Sequence, residues 1–65
     1  MSRLANRVRA VRDRRRLSLA ELAGRIGVSR LTLRAIETGL YAPSLSLAFR
    51  LSRALNHPVE DLFAV

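Results

Sequence analysis

The stretch Leu17-Ser18-Leu19-Ala20-Glu21-Leu22-Ala23-Gly24-Arg25-Ile26-Gly27-Val28-Ser29-Arg30-Leu31-Thr32-Leu33-Arg34-Ala35-Ile36-Glu37-Thr38-Gly39 decides the fold. Leu19, Leu22, Ala23 and Ile26 fall at i, i+3, i+4 and i+7, a spacing that gathers apolar side chains on one face of a helix. Ser18 followed by Glu21 is a capping-box pattern: the serine can cap the helix and the glutamate can reach back. Gly27 suits the end of this short helix. Ser29 follows almost at once as the N-cap of another helix, about Arg30 to Thr38, which Gly39 stops.

Outward from this pair, the chain reads as five short helices with no strand alternation. Helix one is expected over about Leu4 to Arg15, because Leu4, Val8 and Val11 fall at i, i+4 and i+7. Leu40-Tyr41-Ala42-Pro43 is a loop, and Ser44 caps a fourth helix over about Leu45 to Leu55. Leu47, Leu51, Ala54 and Leu55 make one face of it, while Leu45 and Phe49 point nearly opposite. Only a narrow strip of Ser46, Arg50 and Arg53 is polar, so this helix is covered from more than one direction. Asn56 can end it in the left-handed conformation, and Pro58 suits the first turn of a one-turn fifth helix through Phe63. The expected architecture is all-α, a single domain over residues 1–65 with no room for a linker or repeat.

Composition narrows the function classes. The chain has 65 residues and a formal net charge of +7, and all 12 cations are arginines. Area scaling gives roughly 4,200 Å² of folded surface against about 10,600 Å² unfolded, a marginal burial. The sequence has no cysteine, so neither disulfides nor a Cys-rich zinc module supply stability, and a partner subunit is the remaining stabiliser. No apolar run reaches the roughly 20 residues of a membrane span. Met1 to Arg16 is too rich in arginine for a signal peptide. A cytoplasmic protein is expected, and strong positive charge points to polyanions, nucleic acid first. An enzyme is not expected. The single histidine, His57, sits beside Pro58 as a turn residue. Glu60 and Asp61 are adjacent and suit a helix N-terminus. No catalytic residue, cofactor or metal site is assigned. A rival class is binding to a membrane surface or an acidic protein through basic, amphipathic helix one. Burial is the discriminator: if Leu4, Val8 and Val11 lie in the core, they cannot insert into lipid.

Two short helices joined by Gly27-Val28-Ser29 make a helix-turn-helix arrangement, whose second helix can enter the DNA major groove; a plain helical bundle fits the spacing too. The faces of helix three sharpen the choice. At about 100° per residue, Leu33, Ile36 and Glu37 lie together, and Leu31, Arg34, Ala35 and Thr38 lie opposite. An outward Arg34 can donate two bonds to guanine O6 and N7, though taken alone it also reads as a solvated charge. Ala35 permits close approach, and Leu31 can touch a thymine methyl. Arg30, at the helix start, suits a phosphate as well as a base. Glu37 on the inward side needs a partner. Arg12, at the edge of the apolar stripe of helix one, is the expected one.

The strings Leu17 to Ala23, Gly27-Val28-Ser29-Arg30, Ile36-Glu37-Thr38-Gly39 and Tyr41-Ala42-Pro43-Ser44 together resemble the helix-turn-helix domain of phage Cro and repressor proteins, the Xre-type family. The resemblance covers about Asn6 to Phe63 and is nearest to the small stand-alone bacterial regulators. It implies a five-helix, lambda-repressor-like domain that binds double-stranded operator DNA as a homodimer and represses transcription. It also implies roles by position. Ser18 and Leu19 start the helix that touches phosphate. Ser29 and Arg30 begin the reading helix, and Leu31, Thr32, Arg34 and Ala35 face the groove. Thr38, Leu40 and Tyr41 lie where the following loop meets the DNA backbone, and Arg12 and Glu37 match the family's internal ion pair. Leucines at 19 and 31 depart from the family's frequent glutamines, and Leu40 from its frequent lysine, so no operator follows by analogy. These leucines also suit a groove-facing surface turned over to a protein partner, as in an antitoxin.

The apolar end, Leu62-Phe63-Ala64-Val65, must be covered. It either packs on its own helices or forms a two-fold dimer contact with the outer face of helix four. The favoured reading is a dimer through Leu45, Phe49, Leu62, Phe63 and Val65. Such a dimer would set two reading helices about 34 Å apart, on half-sites about 10 bp apart.

Overall fold

The computed structural model describes residues 6–63. Five helices follow in order: α1 Val8–Arg14, α2 Leu19–Ile26, α3 Arg30–Glu37, α4 Leu45–Leu55 and α5 Val59–Leu62. No strand occurs among the described residues. The longest helix, α4, is the post against which α1, α2 and α5 pack, and α2 also packs on α3. Each helix sends its apolar face to one core: Val8 and Val11 from α1, Leu22, Ala23 and Ile26 from α2, Leu33 and Ile36 from α3, Leu47, Leu51 and Leu55 from α4, and Leu62 from α5.

Local chemistry sets most helix boundaries. Ser18, Ser29 and Ser44 each hold an extended backbone and accept from the amide three residues on: Glu21 N at 3.0 Å, Thr32 N at 3.1 Å and Leu47 N at 3.2 Å. Each serine thereby satisfies a donor that the first turn leaves unpaired. At the other end, α1 to α4 all stop on a residue with positive φ: Arg16, Gly27, Gly39 and Asn56. The residue after each one sends its amide back to a carbonyl five positions earlier. The pairs are Leu17 N to Arg12 O, Val28 N to Ala23 O, Leu40 N to Ala35 O and His57 N to Ser52 O. This left-handed hook satisfies carbonyls that the last turn would otherwise leave open.

Three expectations are corrected. Helix one begins at Val8 rather than near Leu4. Asn6 Oδ1 accepts from Val8 N at 3.1 Å, and Arg7 N donates to Leu62 O at 2.8 Å, so tertiary bonds fix its start. Leu4 and Ala5 lie outside the described residues. Thr38 follows α3 rather than ending it: its hydroxyl donates to Arg34 O and Ala35 O, and the helix closes at Glu37. Leu62 is fully buried within its own chain. It is a core residue and has no surface to offer a dimer. Phe63 packs half-buried against the same core, and Val65 lies outside the described residues. On α4, Ala48 joins the buried face, whereas Leu45 and Phe49 remain 70% and 51% exposed.

Val8 and Val11 of the basic, amphipathic α1 are 0% and 1% exposed. They fill the core and are not free to enter lipid. Among the described residues no helix is long and apolar enough to cross a membrane.

Candidate nucleic-acid interface

Helix α3 has two faces of opposite character. Leu33 and Ile36 are completely buried, while Leu31 is 80% exposed. Arg30, Arg34 and Thr38 are exposed with it, and Thr32 and Ala35 are half-buried beside it. Leu31 forms a ridge between two shallow grooves. One, of about 310 Å³, is lined by Leu19, Arg30, Leu31 and Arg34. The other, of about 450 Å³, is lined by Leu31, Thr32, Ala35 and Tyr41. Tyr41 reaches this face because the loop folds back: Leu40 N and Tyr41 N both donate to Ala35 O, at 2.9 and 3.2 Å.

The arginines of the chain are not equivalent. Among the described residues, Arg9 lies 4.0 Å from Asp13, and Arg12 is paired with Asp13 and Glu37. No carboxylate of those residues pairs with Arg30 or Arg34. Both are exposed, and their guanidinium donors are unspent among the described residues, flanking an apolar ridge. Bidentate donors beside a methyl-sized apolar contact are the equipment for reading base edges.

The caps also leave chemistry at the surface. In the capping box Ser18 Oγ accepts from Glu21 N, and Ser18 N donates to Glu21 Oε1 at 2.9 Å. These bonds, backbone first, hold the Glu21 carboxyl below its ordinary range, so the box is intact at neutral pH. Ser18 keeps its hydroxyl proton for an outside acceptor. Ser29 spends its own on Thr32 Oγ1 at 3.0 Å, which frees the Thr32 proton instead. Leu19 is half-buried against the core; it contributes a wall to the first groove and no polar contact.

One ion pair fixes the back of α3. Arg12 Nε donates to Glu37 Oε2 at 2.7 Å and Nη2 to Oε1 at 3.3 Å, a two-pronged contact with side chains 11% and 5% exposed. Arg12 Nη1 also donates to Leu17 O at 3.0 Å, on the approach to α2. The Glu37 bond raises the Arg12 pKa above its ordinary value, with burial opposing it and the charges of Glu37 and Asp13 adding to it. One guanidinium thus braces the helix-turn-helix pair at both of its ends. No buried side-chain nitrogen or oxygen among the described residues lacks a partner.

Two polar contacts that hold the ends of α2 and α3 escaped the sequence. Asn6 Nδ2 donates to Ile36 O at 2.8 Å. Arg50 Nη1, on the polar strip of α4, donates to Ile26 O at 3.3 Å and caps the end of α2. An asparagine two residues ahead of an apolar stripe is a readable cap signal, but its second bond spans 30 residues. Nothing local announces either long-range partner. No cluster of His, Cys, Asp or Glu able to hold a metal occurs among the described residues.

A family model described as helix-turn-helix matches residues 8–62. An uncharacterized HTH-type transcriptional regulator of Methanocaldococcus jannaschii is 40% identical over 60 residues, 92% of this chain and 91% of that protein. The uncharacterized HTH-type regulator YgzD of Bacillus subtilis is likewise 40% identical, with the same coverage. Among solved structures, the P22 c2 repressor in complex with a synthetic operator superposes with a TM-score of 0.87. It is 25% identical, and the match covers 98% of this chain and 97% of that one. The restriction-modification controller protein C.AhdI of Aeromonas hydrophila gives a TM-score of 0.81 at 32% identity, covering 88% and 86%. SinR, solved in complex with DNA, gives 0.76 at 33% identity, covering 83% and 87%.

Proposed function

The chain belongs to the helix-turn-helix family of DNA-binding transcriptional regulators, which are not enzymes, and from that premise we propose that it is a homodimeric repressor that occupies a palindromic operator through the major groove. The observation that carries the reading is the divided face of α3. Its inner side is locked in the core, and its outer side presents Leu31, Arg34 and Ala35 with unspent donors.

In this mechanism Arg34 donates its two parallel N–H bonds to guanine O6 and N7. Leu31 covers a thymine methyl, and small Ala35 lets the helix approach. Arg30 and the hydroxyls of Ser18, Thr32 and Tyr41 hold phosphates and set the register; Thr38 spends its one hydroxyl proton on the carbonyls of α3 and has no donor for a phosphate, and Ser29 contributes as the cap that starts the helix. The other arginines add counterion release. No cofactor is needed, and occupancy of a promoter in the cytoplasm, at the nucleoid, is the regulatory act. Leu45 and Phe49, one turn apart on α4, form the dimer contact; Leu45 also lines a groove of about 270 Å³ with Ala42, Pro43, Ala48, Val59 and Phe63. The operator and DNA complexes of the P22 c2 repressor and SinR support the same use of this fold.

Selection of bound duplexes from a random library gives the operator and tests the proposal. Arg34→Ala is expected to relax preference at one position of each half-site and to cost about 1–3 kcal/mol. Arg30→Ala, as a phosphate contact, is expected to weaken all sequences alike and lower the salt slope by about 1. An unchanged preference in Arg34→Ala would show that the reading surface lies elsewhere.

A further inference from the structure

Burial of Leu33 and Ile36 sets how deep α3 sits, but apolar contact has no direction. A helix held only by such contacts is free to rotate or slide by small amounts. A reading site needs its side chains held to about 0.5 Å and 10–20°, so something directional must fix α3. The Arg12–Glu37 pair does so through two long side chains. A second tie grips the backbone itself. Asn6 Nδ2 donates to the carbonyl of Ile36, in the last turn of α3, at 2.8 Å.

We propose that Asn6 is a positioning residue for DNA reading, acting by fastening the backbone of α3 to the start of α1. The proposal rests on the DNA-binding role of α3. One side chain makes two bonds of opposite polarity: Oδ1 accepts from Val8 N at 3.1 Å while Nδ2 donates to Ile36 O. That pairing fixes which way the amide faces and demands an asparagine, since aspartate has no donor at neutral pH and serine is too short to span both partners. The tie is stiff at both ends. Arg7, the next residue, donates its amide to Leu62 O at 2.8 Å, so Asn6 does not hang on a free arm. Ile36 O also accepts from Gly39 N at 3.1 Å, so the same atom anchors the hook that ends α3. Arg34, two residues before that carbonyl, inherits its orientation.

The test separates the two bonds. Asn6→Asp and Asn6→Ser keep an acceptor for Val8 N and lose the donor to Ile36 O; Ser does so without adding charge. Affinities are measured for the selected operator and for a scrambled duplex, well below each variant's unfolding temperature. The ratio of the two affinities is expected to fall roughly three- to tenfold in both variants, while affinity for the scrambled duplex in Asn6→Ser stays near wild type. In the unmodified protein, NMR is expected to show a coupling across the hydrogen bond from the Asn6 side-chain amide to the Ile36 carbonyl. An unchanged ratio in both variants, or absence of that coupling, overturns the positioning role and leaves DNA reading intact. A wild-type protein that prefers no sequence overturns both. If the variants do not fold, the coupling still decides the tie.

Discussion

Arg16 is the residue whose backbone costs most for its position. It shares its left-handed role with Gly27, Gly39 and Asn56, at a φ of 56°. Glycine adopts this conformation without penalty and asparagine tolerates it, but an arginine there costs about 1–2 kcal/mol. Arg16→Gly removes that strain and adds some unfolded-chain freedom. Urea denaturation is therefore expected to show a gain of about 0.5–1 kcal/mol. A loss of stability would mean that the Arg16 side chain contributes more than its backbone costs. The same substitution removes an exposed cation two residues ahead of Ser18. If the start of α2 faces phosphate, as proposed, selection for charge beside it is a physical reason for the strain to persist.

At the scale of elements, the helices that were legible are those whose limits are local. Ser18, Ser29 and Ser44 announce α2, α3 and α4, and Gly27, Gly39 and Asn56 announce their ends, because each makes its bonds within a few residues. The start of α1 was not legible. It depends on Ile36 O and Leu62 O, which lie 30 and 55 residues away from Asn6 and Arg7. Periodicity reports which way a helix faces and says little of where it starts. Leu62 was misplaced for a related reason: a one-turn helix has too few residues to show which of its apolar groups face inward. Glu37 was legible despite its remote partner, because a carboxylate on an apolar face requires a cation and Arg12 borders the matching stripe. That pair joins α1 to α3. Glu37→Ala leaves a largely buried guanidinium with only Leu17 O and the 3.6 Å contact to exposed Asp13. Thermal unfolding is expected to show a loss of about 3 kcal/mol. Glu37→Gln, which keeps an acceptor, is expected to lose less. Equal and small losses in both variants would show that the pair contributes little beyond packing.

At the scale of the molecule, the accessible surface is 4534 Å², so folding buries only about 57% of the surface that area scaling assigns to the unfolded chain. A chain this small gains from any further apolar cover. Among the described residues, Leu31, Leu40, Tyr41, Leu45 and Phe49 are the exposed large apolar side chains, and the proposed function divides them between two jobs. The first three lie on or beside α3, where close approach of DNA would cover them. Leu45 and Phe49 lie on α4, and the rim of Val59 and Phe63 comes from the far end of the chain. A two-fold contact through this patch would cover both protomers with the same residues and turn two weak half-site contacts into one strong one. Phe49 is half-exposed, so Phe49→Glu places its charge in solvent in the isolated chain and between like charges in the dimer. Sedimentation is expected to show a dimer for the wild type at micromolar concentration and a monomer for Phe49→Glu. Circular dichroism of the variant should keep the helical signal. Operator affinity is expected to fall about a hundredfold or more, the loss of avidity when one half-site must act alone, while the base preference within each half-site stays unchanged. A Phe49→Glu protein that remains dimeric would move the interface off α4, and a wild type that saturates its operator as a monomer would remove the dimer altogether.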